Sequence, residues 1–441
     1  MGSIWGRENR IPARERLERD LETEIAVIGG GMAGLLTAYF LSRQNKKVVV
    51  LEADRIAGGQ TKNTTAKITS QHGMIYSELE KKHSLQTARL YAGANENAIH
   101  MYEQLIEEEG ISCGFEKLPS YLYSRVSAEP LKKEAEMAAE LGIKAFFTTN
   151  TELPFPNEGA VCFEEQAQFH PLEFIRYISK DLEIYENTKV LSVKGHVIHT
   201  ECGTVTAEHI VFASHYPFLN IPGFYFLRQH QERSYVLALA DAASYKGMYC
   251  SADEGGISLR NAGELLLFGG SSHRTGKNCC RAIYESLANK AELFYPGCRE
   301  AARWSAQDCM THDKIPFIGK YSVYRPYWYV ATGFKKWGMT SSMISARLLT
   351  DLICKTENPY MELFRPQRFC IRASAKDFLV DAGESIRGLF EGALHPAKRC
   401  PHMGCEMKWN PDEQSWDCPC HGSRITFDGK LIDNPAQKGK F

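Results

Sequence analysis

Short, continuous apolar runs near the N-terminus predict a buried parallel sheet. Residues 24–29 and 48–51 form two such runs, and the apolar stretch at 35–41 between them predicts a helix. The turn after the first run reads GGGMAG at residues 29–34, and Glu52 follows the second run. This βαβ pattern, with G-x-G-x-x-G at the turn and an acid about twenty residues on, predicts a dinucleotide site. The glycines admit a pyrophosphate to the helix N-terminus, and the carboxylate accepts hydrogen bonds from ribose hydroxyls.

The middle of the chain changes to alternating apolar and polar positions. Between Glu232 and Gly270, short runs separated by glycine and polar turns predict an antiparallel meander. The meander ends on a loop that carries His273 and Arg274, which either lie at the surface or reach a bound cofactor. These two residues and Lys67 are weak catalytic candidates, and no catalytic base stands out in the sequence.

The alternation of strands and helices characteristic of a nucleotide-binding domain returns on both sides of the meander. A strand at residues 329–333 is followed by an apolar helix at 338–353, and a proline-bearing connector and a further helix at 375–390 lead into the C-terminal tail. The elements predicted before the meander are a helix at 171–178 and strands at 189–193, 197–199 and 210–214.

The C-terminal tail carries two pairs of potential metal ligands. Cys400 and His402 form the first pair, and Cys418 and His421 form the second. Tetrahedral zinc sites more often group their ligands as Cys-x-x-Cys and His-x₃₋₅-His. One thiolate and one imidazole in each pair suit a two-iron cluster in which one iron takes both thiolates and the other takes both imidazoles. The pattern favours this cluster over the alternatives, a zinc knuckle or a cysteine-rich tail.

The composition is that of an ordinary soluble protein. The 441 residues suffice for about two to three domains, 44% of them are apolar, 24% are charged, and the formal net charge is −1. This balance excludes a global attraction to nucleic acid or to anionic membranes. The first twenty residues lack the apolar core of a secretion signal, and no run reaches the about 18 apolar residues of a membrane span. We therefore expect a cytoplasmic protein in which the cysteines outside the tail are inert thiols.

Two segments resemble the D-amino-acid oxidase-like (DAO) superfamily of flavoproteins. They are the polar loop AGGQTKNTTAK at residues 57–67 and the strand-turn-helix YVATGFKKWGMT at 329–340. The resemblance implies that the dinucleotide is FAD and that the helix N-terminus at Gly338 faces the flavin, where its dipole stabilises negative charge. The residues at which the resemblance implies FAD contacts are Gly29, Gly31, Met32, Ala33, Gly34, Glu52, Ala53, Gly59, Gln60, Thr61, Thr65, Ala66, Lys67, Val190, Ala213, Ser214, Gly333, Trp337, Gly338, Met339 and Thr340.

The tail at residues 400–436 closely resembles the cluster-binding loops of the Rieske family. The resemblance implies a [2Fe-2S] cluster whose buried iron is held by Cys400 and Cys418 and whose outer iron is held by His402 and His421.

The same resemblance implies two further features of the tail. Cys405 and Cys420 occupy the positions of a loop-to-loop disulfide. Ser423 keeps a hydroxyl that donates to a cluster sulfide, whereas Ile425 stands where high-potential members have tyrosine. Because a lost hydrogen bond destabilises the more negative reduced state, we expect a potential in the lower part of the Rieske range.

Together, these motifs imply a fold of class α/β and α+β. It contains a Rossmann-type FAD-binding domain, an antiparallel-sheet substrate domain and a small C-terminal Rieske module. Residues 24–436 as a whole resemble bacterial DAO-superfamily flavoproteins with such a module. Few residues of the module precede Cys400, so its base is shorter than in typical Rieske domains. We therefore expect the module to pack on the flavoprotein instead of folding alone. The predicted boundaries are 22–78, 155–220 and 301–356 for the FAD-binding domain, 79–154 and 221–300 for the substrate domain, 357–391 for the connector and 392–441 for the module.

The resemblance implies a redox enzyme that acts on a small molecule, with an amine or amino acid as the expected substrate. FAD would take two electrons from it, and the Rieske centre would pass them to a partner protein or a quinone-like acceptor. Two alternatives stay open: a reductase with the reverse electron flow, and an electron-transfer protein without its own substrate. We expect the exposed edges of His402 and His421 to face the flavin. Five arginines are candidates for clamping a substrate carboxylate: Arg176, Arg228, Arg233, Arg260 and Arg274.

Overall fold

Three β-sheets hold the described part of the chain together in a computed structural model, which describes residues 2–6, 11–277, 282–368, 371–394 and 399–439. The strands are β1 (Leu21–Ile28), β2 (Val48–Leu51), β3 (Lys67–Ile68), β4 (Glu116–Ser124), β5 (Ala145–Thr148), β6 (Gly159–Gln168), β7 (Glu183–Tyr185), β8 (Val190–Lys194), β9 (Val197–Thr200), β10 (Thr204–Phe212), β11 (Gln229–Ala240), β12 (Met248–Ser251), β13 (Ser258–Ala262), β14 (Leu265–Arg274), β15 (Arg299–Thr311), β16 (Phe317–Ser322), β17 (Arg325–Thr332), β18 (Lys408–Asn410), β19 (Ser415–Asp417), β20 (Arg424–Thr426) and β21 (Leu431–Asp433). The α-helices are α1 (Met32–Arg43), α2 (Gln60–Asn63), α3 (Ile75–Lys82), α4 (Leu85–Glu108), α5 (Glu129–Glu140), α6 (Pro171–Ile178), α7 (Ile283–Phe294), α8 (Gly338–Cys354), α9 (Met361–Phe364) and α10 (Ile371–Leu394).

The first sheet is the predicted nucleotide-binding sheet. Its strand order is β16-β17-β10-β1-β2-β7, and β8 and β9 extend it from β10. β1 runs parallel to β2 and β10, so Ile28 pairs with Leu51 on one side and with Phe212 on the other. Ile25 and Val27 join a core that also contains apolar residues of α1 and α8. The carboxyl ends of these strands meet at one edge, which is where open α/β sheets bind their ligands.

The second sheet forms the cap over that edge. Its order is β15-β11-β14-β13-β12-β4-β6-β3, and β5 pairs with β6. The four predicted strands are present as β11 to β14, with β11 beginning at Gln229 and β14 ending at Arg274. Of these four described strands, only β12, β13 and β14 pair in chain order as a meander, because β11 pairs with β14 and not with β12. β11 also pairs along its whole length with β15, which forms the edge of the cap.

Three strands of the cap sheet fall wholly or mostly within ranges predicted for the FAD-binding domain: the short β3, within 22–78, and two longer strands. β15 belongs to the cap sheet although residues 301–356 were predicted to lie in the FAD-binding domain, and β6 belongs to it although it falls within 155–220. Both strands pair with partners distant in sequence: β15 with β11, and β6 with β4. A local apolar pattern predicts a strand but does not reveal which sheet the strand joins.

The third sheet, β18-β19-β20-β21, forms the small C-terminal module. Its buried core consists of Cys400, Cys405, Met407, Cys418, Cys420 and Ile425. The predicted connector helix is present as α10, which is longer than expected and begins at Ile371. Among the described helices, none has the length and apolarity needed to cross a bilayer.

Candidate functional site

A cavity of about 1030 Å³ lies between the carboxyl edge of the nucleotide-binding sheet and the cap. Four of the sequence-predicted contact residues are absent from its described lining: Gly34, Ala66, Gly333 and Thr340. The predicted residues that line it are Gly29, Gly31, Met32, Ala33, Glu52, Ala53, Gly59, Gln60, Thr61, Thr65, Lys67, Val190, Ala213, Ser214, Trp337, Gly338 and Met339.

The glycine turn after β1 shapes one end of the cavity. Gly29 has φ +113°, and a Cβ there would lie 2.5 Å from the Ala213 carbonyl oxygen. A Cβ on Gly34 would lie 2.0 Å from the Gly29 carbonyl oxygen, so this glycine allows α1 to pack against the turn. At Gly31 the nearest atom to a Cβ would be Thr61 Oγ1 at 3.3 Å, which leaves its cavity side open. The N-terminus of α1 therefore faces a space that suits a pyrophosphate.

Glu52 lies beside this turn. Its Oε2 accepts a hydrogen bond from the Gly30 N–H at 2.7 Å, and its Oε1 accepts one from the Asp54 N–H at 3.0 Å. Burial raises the pKa of Glu52, while these backbone hydrogen bonds lower it in part. Each carboxylate oxygen keeps a lone pair, so the group has the capacity to accept from ribose hydroxyls as well.

The second helix end at the cavity is that of α8, where Trp337, Gly338 and Met339 line the wall. The Trp337 ring stacks on the buried His72 ring with centroids 4.6 Å apart and an interplanar angle of 17°. His72 also bonds to Tyr91 Oη and to the Thr69 carbonyl oxygen, each at 2.7 Å. Burial lowers the pKa of His72 to about 3, so the imidazole that stacks on Trp337 is uncharged at neutral pH. The partial positive charge at this end of the cavity therefore comes from the α8 dipole.

Lys67 is the catalytic candidate that lies on the cavity wall. Its Nζ donates to the Tyr249 carbonyl oxygen at 2.9 Å and to Ser258 Oγ at 2.6 Å. Burial lowers its pKa to about 8. The amine is thus held in place and titrates close to neutral pH, which suits a group that exchanges a proton with a ligand.

His273 and Arg274 are absent from the cavity lining. The His273 ring stacks on Tyr235 with centroids 5.7 Å apart. Arg274 forms an ion pair with Asp381 of α10 and donates to the carbonyl oxygens of Pro419 at 2.9 Å and Cys420 at 3.1 Å. Neither side chain therefore reaches the cavity wall in this structure. Arg274 instead fixes the connector helix and a cluster loop to the cap.

The other four candidate arginines are also engaged away from the cavity. Arg233 pairs with Asp417 at 3.2 Å, and Arg176 pairs with Glu173 at 2.6 Å. Arg260 donates to the carbonyl oxygens of Thr65 at 2.6 Å and Ala66 at 2.9 Å, and Arg228 donates to the Pro366 carbonyl oxygen. Of the arginines whose side chains the structure describes, only Arg55 lines the cavity.

Two acids on the cap wall were missed from the sequence. Glu232 of β11 and Asp308 of β15 are directly opposite each other in the register of the two strands, and both line the cavity. Lys336 Nζ pairs with Glu232 at 2.9 Å, and Ser272 Oγ donates to the same carboxylate at 3.3 Å. Burial raises the pKa of Asp308 to about 6, against the opposing effect of the Lys336 charge. The period-two pattern of β11 contained the signal for Glu232, but its pairing with Asp308 depends on a contact distant in sequence.

The four predicted cluster ligands come together in the C-terminal module. Cys400 and Cys418 are buried, and the rings of His402 and His421 have centroids 4.9 Å apart at an interplanar angle of 90°. Within the described chain, Nδ1 of both histidines is buried without a hydrogen-bond partner. A hydrogen bond with Cys418 lowers the pKa of Cys400 to about 7, and burial lowers those of His402 and His421 to about 4 and about 3. A thiol close to ionisation and neutral imidazoles with free Nδ1 atoms fit a two-iron cluster.

The surroundings of the cluster loops confirm the implied disulfide but not the implied orientation. Cys405 and Cys420 are joined by a disulfide. His421 is only 2% exposed, and both imidazoles face Phe226, with centroids 6.5 Å away for His402 and 5.9 Å for His421. Neither imidazole lines the cavity, and the expected exposure is absent for His421, whereas His402 is half-buried. The reason is that the loop before β11 covers the histidines.

The cluster loop after Cys418 rests on the outer face of β11 and β15. Gln231 Nε2 donates to the His421 carbonyl oxygen at 2.7 Å, and Gln307 Nε2 donates to the Gly422 carbonyl oxygen at 2.8 Å. A Cβ on Gly422 would lie 2.6 Å from Gln231 Cβ, so the glycine permits this close approach. The expected docking of the module on the flavoprotein is therefore present.

Comparisons with known proteins agree with this arrangement. A family model described as "FAD dependent oxidoreductase" (DAO) matches residues 24–352, and one described as "Rieske [2Fe-2S] domain" matches residues 391–440. YhfW of Bacillus subtilis (strain 168), which bears the name of a Rieske 2Fe-2S iron-sulfur protein, is 36% identical, with 99% of this chain and 96% of YhfW covered.

Two solved structures show the same fold for the flavin part. Glycine oxidase from Geobacillus kaustophilus superposes with a TM-score of 0.68 at 19% identity, over 79% of this chain and 99% of that one. L-amino acid deaminase from Proteus vulgaris superposes with a TM-score of 0.64 at 16% identity, over 82% of this chain and 100% of that one.

The ligand set predicts the metal content of the protein. Purified protein should contain iron and give a Rieske-type EPR signal when reduced, and His402→Ala should lose this signal because one iron loses a ligand. His100→Ala is a matched control, since that side chain is 76% exposed on α4. Zinc without iron in the wild-type protein would contradict the cluster assignment.

The open side of Gly31 predicts the effect of adding a side chain there. Gly31→Val should yield protein with little bound FAD, and Gly31→Ala should retain an intermediate amount, because the added carbons project into the pyrophosphate space. The measurement is the FAD-to-protein ratio after desalting, with circular dichroism to confirm folding. Full occupancy in folded Gly31→Val would show that the pyrophosphate lies elsewhere.

Proposed function

The chain belongs to the FAD-dependent oxidoreductase (DAO) family and carries a C-terminal Rieske [2Fe-2S] domain. We propose that it oxidises an amine by two electrons and passes them one at a time through the Rieske centre to an external acceptor, a partner protein or a quinone-like molecule. When bound, FAD supplies a two-electron acceptor, and the [2Fe-2S] cluster supplies a one-electron acceptor. The groups that would receive them are the α1 and α8 N-termini at the cavity and the two Cys/His pairs of the module.

One observation carries this proposal: β11 and β15 form a wall that the cavity and the cluster loop share. Glu232 and Asp308 face the cavity, whereas their neighbours Gln231 and Gln307 hold the cluster loop on the other side. Successive side chains of a strand point to opposite faces, so the substrate space and the cluster are separated by a single sheet layer. Electron transfer between the two sites within one molecule is the function that this arrangement favours.

The protein's own groups prepare the cavity for oxidation of a C–H bond next to nitrogen. The N-terminal end of α8, which lines the cavity at Gly338, would stabilise negative charge on a bound flavin. Lys67, with its pKa lowered by burial to about 8, has the position and the acidity to take up or release a proton at the cavity wall.

The charges on the cavity wall favour an amine over an amino acid. An amino-acid substrate needs a cation for its carboxylate, but the single described arginine of the lining, Arg55, pairs with Glu186 at 2.9 Å. Lys336 is also neutralised, by Glu232, and the Lys67 amine already donates to the Tyr249 carbonyl oxygen and to Ser258 Oγ. The Asp308 carboxylate, opposite Glu232 on the cavity wall, instead suits a positively charged ammonium group.

An anaerobic substrate panel tests the proposed function. A set of primary and secondary amines, with the corresponding α-amino acids, should include at least one amine that bleaches the flavin band and then the cluster band. Little O₂ should be consumed under air, because the cluster provides the flavin with another outlet. No flavin bleaching by any member, together with cluster reduction by an external donor, would favour the reverse electron flow instead.

Asp308 predicts how the affinity for the amine depends on charge and on pH. Asp308→Asn should raise the dissociation constant of the amine about tenfold or more, since a charge-assisted hydrogen bond is lost. In the wild type, where Glu232 and Lys336 are the charged neighbours, affinity should fall as pH drops through about 6 because Asp308 becomes protonated. This fall should be absent in Asp308→Asn.

The control for this series is Glu264→Gln, which removes the same charge from an exposed turn of the cap. Both variants are titrated with the amine under anaerobic conditions before turnover. Unchanged affinity in Asp308→Asn would exclude an ammonium site at the acid pair. Tighter binding of the α-amino acid than of its amine would contradict the preference for an amine.

A further inference from the structure

We propose that the loop of the Rieske module at residues 430–437, here called the closing loop, forms part of the FAD site. Binding of FAD and docking of the module would then stabilise each other. The proposal concerns cofactor binding and does not depend on the identity of the substrate.

The closing loop lines the same cavity as the glycine turn and Glu52. Its lining residues are Lys430, Leu431, Ile432, Asp433, Asn434, Ala436 and Gln437. The loop comprises the last strand of the module, β21, and the residues on either side of it. It contacts residues more than two hundred positions earlier in the chain. A cofactor that fills this cavity therefore has walls from both modules.

Asn434 anchors the closing loop to the nucleotide-binding sheet. Its Nδ2 donates to the carbonyl oxygens of Ser214 at 2.9 Å and Tyr216 at 2.7 Å, directly after β10. Gln60 Nε2 donates to Asp433 Oδ1 at 3.0 Å. Ser214 and Gln60 themselves line the cavity, so the loop is fixed to residues of the cofactor wall.

The other end of the closing loop connects the cavity to the cluster. Lys189, next to Val190 on the adenosine side, donates through Nζ to the Gln437 carbonyl oxygen. The N–H of the fully buried Ala436 donates to Ser423 Oγ at 3.0 Å, and the Ser423 hydroxyl bonds to the Cys400 thiol. A short chain of contacts thus runs from the cavity wall to a cluster ligand.

The charges that line the cavity favour a contribution of the closing loop to FAD binding. A bound FAD brings a negatively charged pyrophosphate, and the basic residues of the lining on this side are Arg55, Lys189 and Lys430. Arg55 is neutralised by Glu186, and Lys189 is partly buried against the loop. Lys430 is exposed at the cavity mouth, so the module contributes a cation there that is screened by salt.

A ligand that contacts two parts of a structure stabilises their association, and the coupling is reciprocal. A change that destabilises the closing loop should therefore weaken the binding of FAD, and removal of FAD should make the loop more mobile. The rest of the module, which docks through Arg233, Gln307 and Arg274, should stay in place in both cases.

The first test measures FAD affinity of the full-length, cluster-loaded protein by flavin fluorescence after removal and re-addition of FAD. Asn434→Ala should raise the dissociation constant of FAD on the order of tenfold, because two hydrogen bonds that anchor the loop are lost. Lys430→Gln should weaken it about fivefold at low salt, and less at high salt. Lys438→Gln is the matched control, since this lysine is exposed in the same tail but is absent from the cavity lining.

The cluster EPR signal of each variant shows whether the module is intact. If Asn434→Ala loses its cluster, the exposed Lys430→Gln change still decides the question. The second test is hydrogen exchange: peptides covering residues 430–437 should exchange faster without FAD, whereas those covering 408–417 should not. Equal FAD affinity in wild type and Lys430→Gln at low salt, with FAD-independent exchange at 430–437, would overturn the proposal.

Discussion

The small size of the cluster module is the constraint on which the rest of the arrangement depends. Four of the six residues in its described core are cysteines: Cys400, Cys405, Cys418 and Cys420. Such a core buries too little apolar surface to stabilise four short strands without help. The disulfide, the cluster ligands and the docking surface on the flavoprotein must supply the remaining stability.

Buried charges define where the module docks. Arg233 is fully buried and reaches across from β11 to Asp417 of the module. On the connector helix, Asp381 interacts with His230, His312 and Arg274, and these interactions hold its pKa well below the usual range although burial alone would raise it. Removing one partner from such a network leaves an uncompensated buried charge, so each group restricts the module to a single position.

The two strands β11 and β15 separate the cavity from the cluster loop through the alternation of their side chains. Because side chains alternate along a strand, Gln231 and Glu232 serve the cluster loop and the cavity respectively. A shift of one residue in the pairing would exchange the two faces. The long pairing of β11 with β15, from Gln229 opposite Thr311 to Ala240 opposite Arg299, fixes that register.

The sequence revealed the features whose chemistry is local. The glycine turn, Glu52, the four cluster ligands and the disulfide each follow from a short motif or from the resemblance that it carries. The acid pair, the role of Arg274 and the closing loop were missed because each depends on contacts between distant segments. Arg274 illustrates the difference: its position at the end of the meander was predicted, but its partner Asp381 lies more than a hundred residues later.

The cavity and the cluster loop share the wall of β11 and β15, and we propose that electrons cross this wall within one molecule. Anaerobic stopped-flow mixing with a reducing amine, at protein concentrations spanning about tenfold, tests this claim most directly. The flavin and cluster bands are followed separately. We expect cluster bleaching to follow flavin bleaching at a rate independent of protein concentration. A cluster rate that rises in proportion to protein concentration would mean transfer between molecules and would contradict this claim.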